Sequence, residues 1–171
     1  MRRLKLTLAE LCSWEIHHLA WLSVEPYTQE IRGKDAQSKG TLFEQLNNGQ
    51  KAIFMFYVFH NHVESPAQYY WFASYYVGEL QIWPALLQGM EYLRDEQMLV
   101  VYKQLEDIVE RRNRLENGEW REALAADLDH DAVLRYEIDE SFSLYNLHAP
   151  GTIQRMNGYV QDHLEEFIEV I

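Results

Sequence analysis

A single cysteine, Cys12, stands in 171 residues, so no disulfide forms within the chain and no thiolate zinc cluster can be assembled. A reducing compartment, the cytoplasm, is expected. Glycine (8) and proline (4) are scarce, too few for the many turns of a sandwich or barrel. Positive charge is short as well. The 15 Lys and Arg against 27 Asp and Glu leave a net charge of −12, which argues against direct binding to nucleic acid or to an anionic membrane. The longest apolar run, Ala52 to Phe59, falls far short of the ~18–20 residues that span a bilayer. Met1-Arg2-Arg3-Leu4-Lys5 has the charge of a secretion signal, but Glu10 and Glu15 interrupt the apolar stretch that would have to follow. Nucleophile elbow, phosphate-cradling glycine loop and dinucleotide fingerprint are all missing, which argues against NTP- or NAD-dependent chemistry.

What the chain does have is 47% apolar and 13% aromatic residues, enough for a packed core in one domain over 1–171. Three capping boxes read as helix starts: Thr7 with Glu10, Thr41 with Glu44, and Ser65 with Gln68 followed by Pro66. Behind the first, Leu8, Leu11, Cys12, Ile16, Leu19 and Leu22 keep helical spacing as far as Pro26, and Cys12 falls on the apolar stripe as a core thiol. Residues 31–40 read as a polar surface loop. The run from Ala52 reads as a buried central helix, and Tyr69 to Tyr76 as an aromatic one. Met98, Val101, Tyr102, Leu105, Ile108 and Val109 define a clean amphipathic helix, with Asp107–Arg111 and Glu110–Arg114 pairs on its wet face. A further helix is expected from Asp129 as its cap to Tyr145, then a break at Ala149-Pro150-Gly151 and a last helix from Thr152 to the end. The expectation is an all-α, single compact domain of about seven or eight helices. Its core should hold Phe54, Phe56, Trp71, Phe72, Leu105, Ile108, Leu164 and Phe167.

Candidate chemistry is thin. Glu15-x-x-His18 has the spacing of one half of a carboxylate-bridged di-iron site, but its nearest counterpart, Asp127-x-x-His130, straddles a helix start. His60-Asn61-His62 could chelate through both rings, although closing an apolar helix is the plainer reading. Cys12 and His17 point in diverging directions on a helix, so they make no thiolate pair. No ligand set closes, and no metal, cofactor or catalytic residue is assigned. The aromatic block is core by default, with a ligand pocket or a homodimer face as the alternatives.

Charge carries more. Residues 1–60 are net +1 and 61–171 net −13, while 116–171 alone hold 13 acids against 3 bases. Asp162, Glu165, Glu166 and Glu169 would share one face of the last helix, and the acidic excess continues upstream through Asp139 and Glu140. Such a field attracts basic protein surfaces.

Ile138-Asp139-Glu140-Ser141-Phe142 and Tyr159-Val160-Gln161-Asp162-His163-Leu164-Glu165-Glu166-Phe167-Ile168 resemble the end of an all-helical bacterial domain family of mostly unknown function, whose named example is a DNA-mimic protein. Asn48-Gly49 ahead of an aromatic helix and Ala85-Leu86-Leu87 leading to Leu93 fall where that family has similar elements, so the resemblance covers roughly residues 41–170. Gln50-Lys51 stand where the family has a further Gly and an aromatic. The resemblance implies an all-α fold without a catalytic centre, acting through carboxylates that stand in for backbone phosphates.

The leading expectation is therefore a non-catalytic acidic module that binds a basic protein through Glu165, Glu166, Glu169, Asp139 and Glu140. The alternative is a small-molecule-binding or metal-assisted enzyme built on the aromatic cluster with His17, His18, His60 and His62.

Overall fold

A computed structural model describes residues 2–171 and, at Ile16, the backbone only; Met1 of the basic N-terminal stretch lies outside the described residues. The chain opens with strand β1 (Leu4–Leu6) and the short helix α1 (Leu8–Ser13), started by the expected Thr7–Glu10 capping box. The helix does not run on to Pro26. Trp14 and Glu15 are extended, a 3₁₀ turn follows at Ile16–His18, and α2 (Leu19–Ile31) begins afresh. α1 buries no residue and Cys12 is exposed, which corrects the core assignment of that thiol. Pro26 lies inside α2, where it removes a backbone hydrogen bond; Val24 and Tyr27, both buried, hold the helix through that cost.

The polar stretch after α2 is not a loop. Asp35 accepts from the Ser38 amide (2.8 Å) and Ser38 hydroxyl (3.0 Å) and starts α3 (Ala36–Gln45). Thr41 lies within that helix and donates to the Gln37 carbonyl, so its box with Glu44 does not form. The next cap is Asn47, whose side chain and that of Gln50 satisfy each other's backbone amides at 2.7 and 2.9 Å. It starts α4 (Asn48–His60), the buried central helix. Ser65 caps α5 (Pro66–Ser74) as expected.

α5 runs into a π-helical turn, Tyr75–Glu79, then α6 (Trp83–Tyr92) and the amphipathic α7 (Glu96–Asn113), whose Asp107–Arg111 and Glu110–Arg114 pairs are both present. An irregular segment leads to the single turn α8 (Asp127–His130). The cap of α9 (Ala132–Asp162) is Asp131, not Asp129; it accepts from the amides of Val133 and Leu134.

α9 runs unbroken through Pro150-Gly151. Ala149 and Thr152 are buried on either side, and the Thr152 hydroxyl donates to the buried Asp95 carboxylate at 2.7 Å. Tertiary packing thus overrides a local helix-breaking pair. The last helix is correspondingly absent: α9 stops at Asp162, α10 (Leu164–Phe167) is one turn, and β2 (Ile168–Val170) pairs in parallel with β1, Leu4 facing Ile168 and Leu6 facing Val170.

The all-α expectation holds apart from that two-strand ribbon. Ten α-helices are present among the described residues rather than seven or eight, the excess arising from one-turn helices and unannounced breaks. Of the expected core, Phe54, Phe56, Leu105, Ile108 and Phe167 are buried, while Trp71, Phe72 and Leu164 are half-buried against it. No helix among the described residues is long and apolar enough to cross a membrane.

Gly78, in the π turn, has the Trp120 indole where its Cβ would be, 2.0 Å from the nearest ring atom. A methyl there must displace a large aromatic side chain. Gly78→Ala is expected to lower the unfolding free energy by about 1–3 kcal/mol, read from denaturant melts; an unchanged midpoint would show that Trp120 moves aside freely.

Candidate functional site

The five candidate carboxylates do not form one stripe. Asp139 and Glu140 are exposed on α9, Glu165 is exposed on α10, and Glu169 sits on β2 facing the Arg3 guanidinium at 3.5 Å. Glu166 is half-buried: its carboxylate accepts from the Tyr159 hydroxyl at 3.3 Å and its carbonyl from the Asn47 side chain at 3.0 Å. Loss of helical geometry after Asp162 separates these groups, because residues three and four apart share a face only while the helix continues.

What α9 brings together instead is a mixed face. Val133 (69% exposed), Tyr136 (66%) and Leu147 (69%) are large apolar side chains in solvent. At 100° per residue they fall with Glu140 within a sector of about 60°, opposite the buried Leu134, Ile138 and Tyr145. Asp139 lies on the edge of this face turned away from α7. No cation pairs with Asp139 or Glu140 among the described residues.

Where α9 meets α7 the face opens into a groove of about 680 Å³. Ile108 and Ser141 are the buried members of its lining and Glu137 and Leu144 the half-buried ones, while Val100 is 54% exposed at its rim. Arg111 also lines it, held between Asp107 and Glu137 with both contacts at 3.0 Å. These carboxylates raise the guanidinium's pKa, so it stays charged and is paired on both sides. Lys103, 3.7 Å from Glu91, is the other cation. The groove therefore has a mostly apolar base, two cations paired with acids, and Glu140, whose carboxylate accepts from the Tyr136 hydroxyl at 3.5 Å and meets no cation among the described residues.

The aromatic and histidine candidates go elsewhere. Tyr69, Tyr70 and Tyr76 are buried, and Tyr70 is enclosed by Asn113, Asp127 and Arg121. Its hydroxyl lies 3.1 Å from the Asn113 oxygen and 3.0 Å from an Asp127 oxygen, and Arg121 reaches Asp127 and Asn113 at 2.7 Å each. Burial alone would raise the Asp127 pKa; Arg121, the Leu124 amide and Tyr70 outweigh it and hold the carboxyl at about 2. Every member of this cluster is engaged with another, and it fastens the segment after α7 to α5.

His60 and His62 diverge. His60 stacks on Phe56 and hydrogen-bonds the Tyr145 hydroxyl, and burial lowers its pKa, whereas His62 stacks on Phe72 with ring centroids 4.7 Å apart. Among the described residues no three His, Cys, Asp or Glu side chains come together as metal ligands. Nothing in the capping or charge pattern marks Val133, Tyr136 and Leu147. The signal that could have found them is a second apolar stripe on the α9 helical wheel, opposite the core stripe. Comparisons with protein-family models, with curated proteins and with solved structures return no match.

Proposed function

We propose that the chain is a non-catalytic protein-interaction module whose docking face is the outer side of α9 together with its border on α7. The observation that supports this reading is the coincidence, on one helix face and its edge, of three large apolar side chains in solvent with the carboxylates of Glu140 and Asp139, which no cation pairs among the described residues. Leaving a large apolar side chain in water forgoes roughly 1.5–3 kcal/mol of burial, and clustering of such side chains marks interaction surfaces.

The partner is a basic protein surface. Attraction by the net charge of −12 supplies steering, and the apolar side chains supply contact once water is expelled. On the resemblance to the DNA-mimic family, that surface would be one that otherwise contacts nucleic acid, with Glu165 as an outlying charge.

Affinity capture on the immobilised protein tests the reading. Proteins retained by the parent are expected to be lost or reduced about tenfold on a Tyr136→Ala/Leu147→Ala variant and to elute at lower salt from Asp139→Asn/Glu140→Gln. Both variants should keep the parent's helical circular dichroism, since all four positions are exposed. Retention of the same proteins, equally tightly, by both variants would return this surface to an ordinary solvated face.

A further inference from the structure

We infer that the groove between α7 and α9 is the seat of a partner α-helix that is amphipathic and basic, with apolar side chains at i, i+3 or i+4, and i+7 and with Lys or Arg flanking them. This deepens the proposed function and rests on it.

Three features narrow the occupant to that chemistry. Both walls are helices whose backbone amides and carbonyls bond within their own helix. The groove thus offers no strand edge, and an incoming segment must satisfy its own backbone, which a helix does. The lining runs along α7 from Val100 to Arg111, about three helical turns at 1.5 Å per residue, with Val100 and Ile108 on α7 and Leu144 on α9 as its apolar members.

Charge selects the sign. Arg111 is already shared by Asp107 and Glu137, and Lys103 is engaged by Glu91. Among the described residues Glu140 is left without a cation at the groove. Lys or Arg on an incoming helix meets the Glu140 carboxylate, which accepts from the Tyr136 hydroxyl and from no cation among the described residues. A second copy of this chain, at −12, would bring like charges together instead.

The probe is a fluorescent synthetic helix of about five turns with Leu at i, i+3 and i+7 and Arg on the flanks, compared with a scrambled peptide of identical composition. Anisotropy titration against the full chain should show the amphipathic peptide binding at least about tenfold more tightly than the scramble. Circular dichroism should show it becoming helical when bound. Leu144→Asp in the lining is expected to weaken it by about tenfold or more. Leu144 is half-buried, so Val100→Asp, at an exposed rim position, provides the same arm without endangering the fold. Glu140→Gln should weaken binding severalfold and flatten its salt dependence.

Equal binding of the two peptides, or indifference to both Val100→Asp and Leu144→Asp, overturns the helix seat while leaving an acidic interaction module in place. Failure of both peptides overturns the seat, and if captured proteins are also indifferent to the α9 variants, the proposed function falls with it. Sedimentation showing a dimer that Val100→Asp dissociates would assign the groove to a second copy and overturn the proposal.

Discussion

Phe59→Ala is expected to lower the unfolding free energy by about 3–5 kcal/mol, the range for emptying a fully buried aromatic site. Phe59 is fully buried in α4, and five rings surround it: Trp83 at 5.3 Å, Tyr76 and Tyr102 at 5.8 Å, Tyr69 at 5.9 Å and Tyr145 at 6.1 Å between centroids. Four of the five are tilted by 60° or more against it, the edge-to-face geometry in which ring quadrupoles attract. These rings belong to α5, the π turn, α6, α7 and α9, so one side chain joins most of the core. A cavity there cannot be closed by moving a single element. Against a total stability of roughly 5–15 kcal/mol, the variant should unfold at markedly lower urea, with Phe59→Leu intermediate. An alanine variant as stable as the parent would mean that the surrounding rings collapse into the space and the hub has no special weight.

Asp127→Asn is expected to cost about 2–3 kcal/mol, somewhat less than a fully buried broken ion pair, because the Arg121 side chain keeps 30% exposure against 11% for Asp127. The amide cannot neutralise the guanidinium, and its NH₂ would face donors where the carboxylate accepted. The same group makes a pH prediction. Its folded pKa of about 2 lies below the ordinary carboxyl value of ~3.9. The stabilisation from its charge is therefore fully present above roughly pH 4 and is lost as pH falls through about 2. Thermal or urea melts of parent and variant from neutral pH downward should converge in that window. A constant difference down to pH 2 would show that the loss comes from packing and not from the carboxylate charge.

The sequence was most informative where local signals and packing agree. The Ser65 cap with Pro66, the Thr7 box and the α7 stripe all place helices correctly, since each is decided within one or two turns. It misled where long-range contacts decide. Pro26 and Pro150 are strong helix breakers, yet both sit inside helices because buried neighbours fix the backbone on either side. The C-terminal acids match a helical period, but the pairing of Ile168–Val170 with Leu4–Leu6 takes that backbone out of the helix, a partnership 164 residues away in the sequence. Asp139 and Glu140 were legible as candidates because α9 is helical there. Their apolar neighbours were not, because a polar-to-apolar count along the chain does not distinguish an inward stripe from an outward one.

The length of α9 has a consequence for how the protein comes into being. It packs against α2, α4, α5, α7, α8 and α10, so it forms a wall that elements from both halves of the chain share. On a ribosome, the apolar faces of α2 and α4 emerge well before residue 132 is made. Until then the part of those faces that α9 covers stays open, and it presents sticky surface to whatever lies nearby. Helices built from local contacts normally assemble fast; here the early ones wait for a late one. Nascent chains halted before Ala132 carry the N-terminal core without its wall, and holding such chains soluble becomes a task for chaperones rather than for the fold.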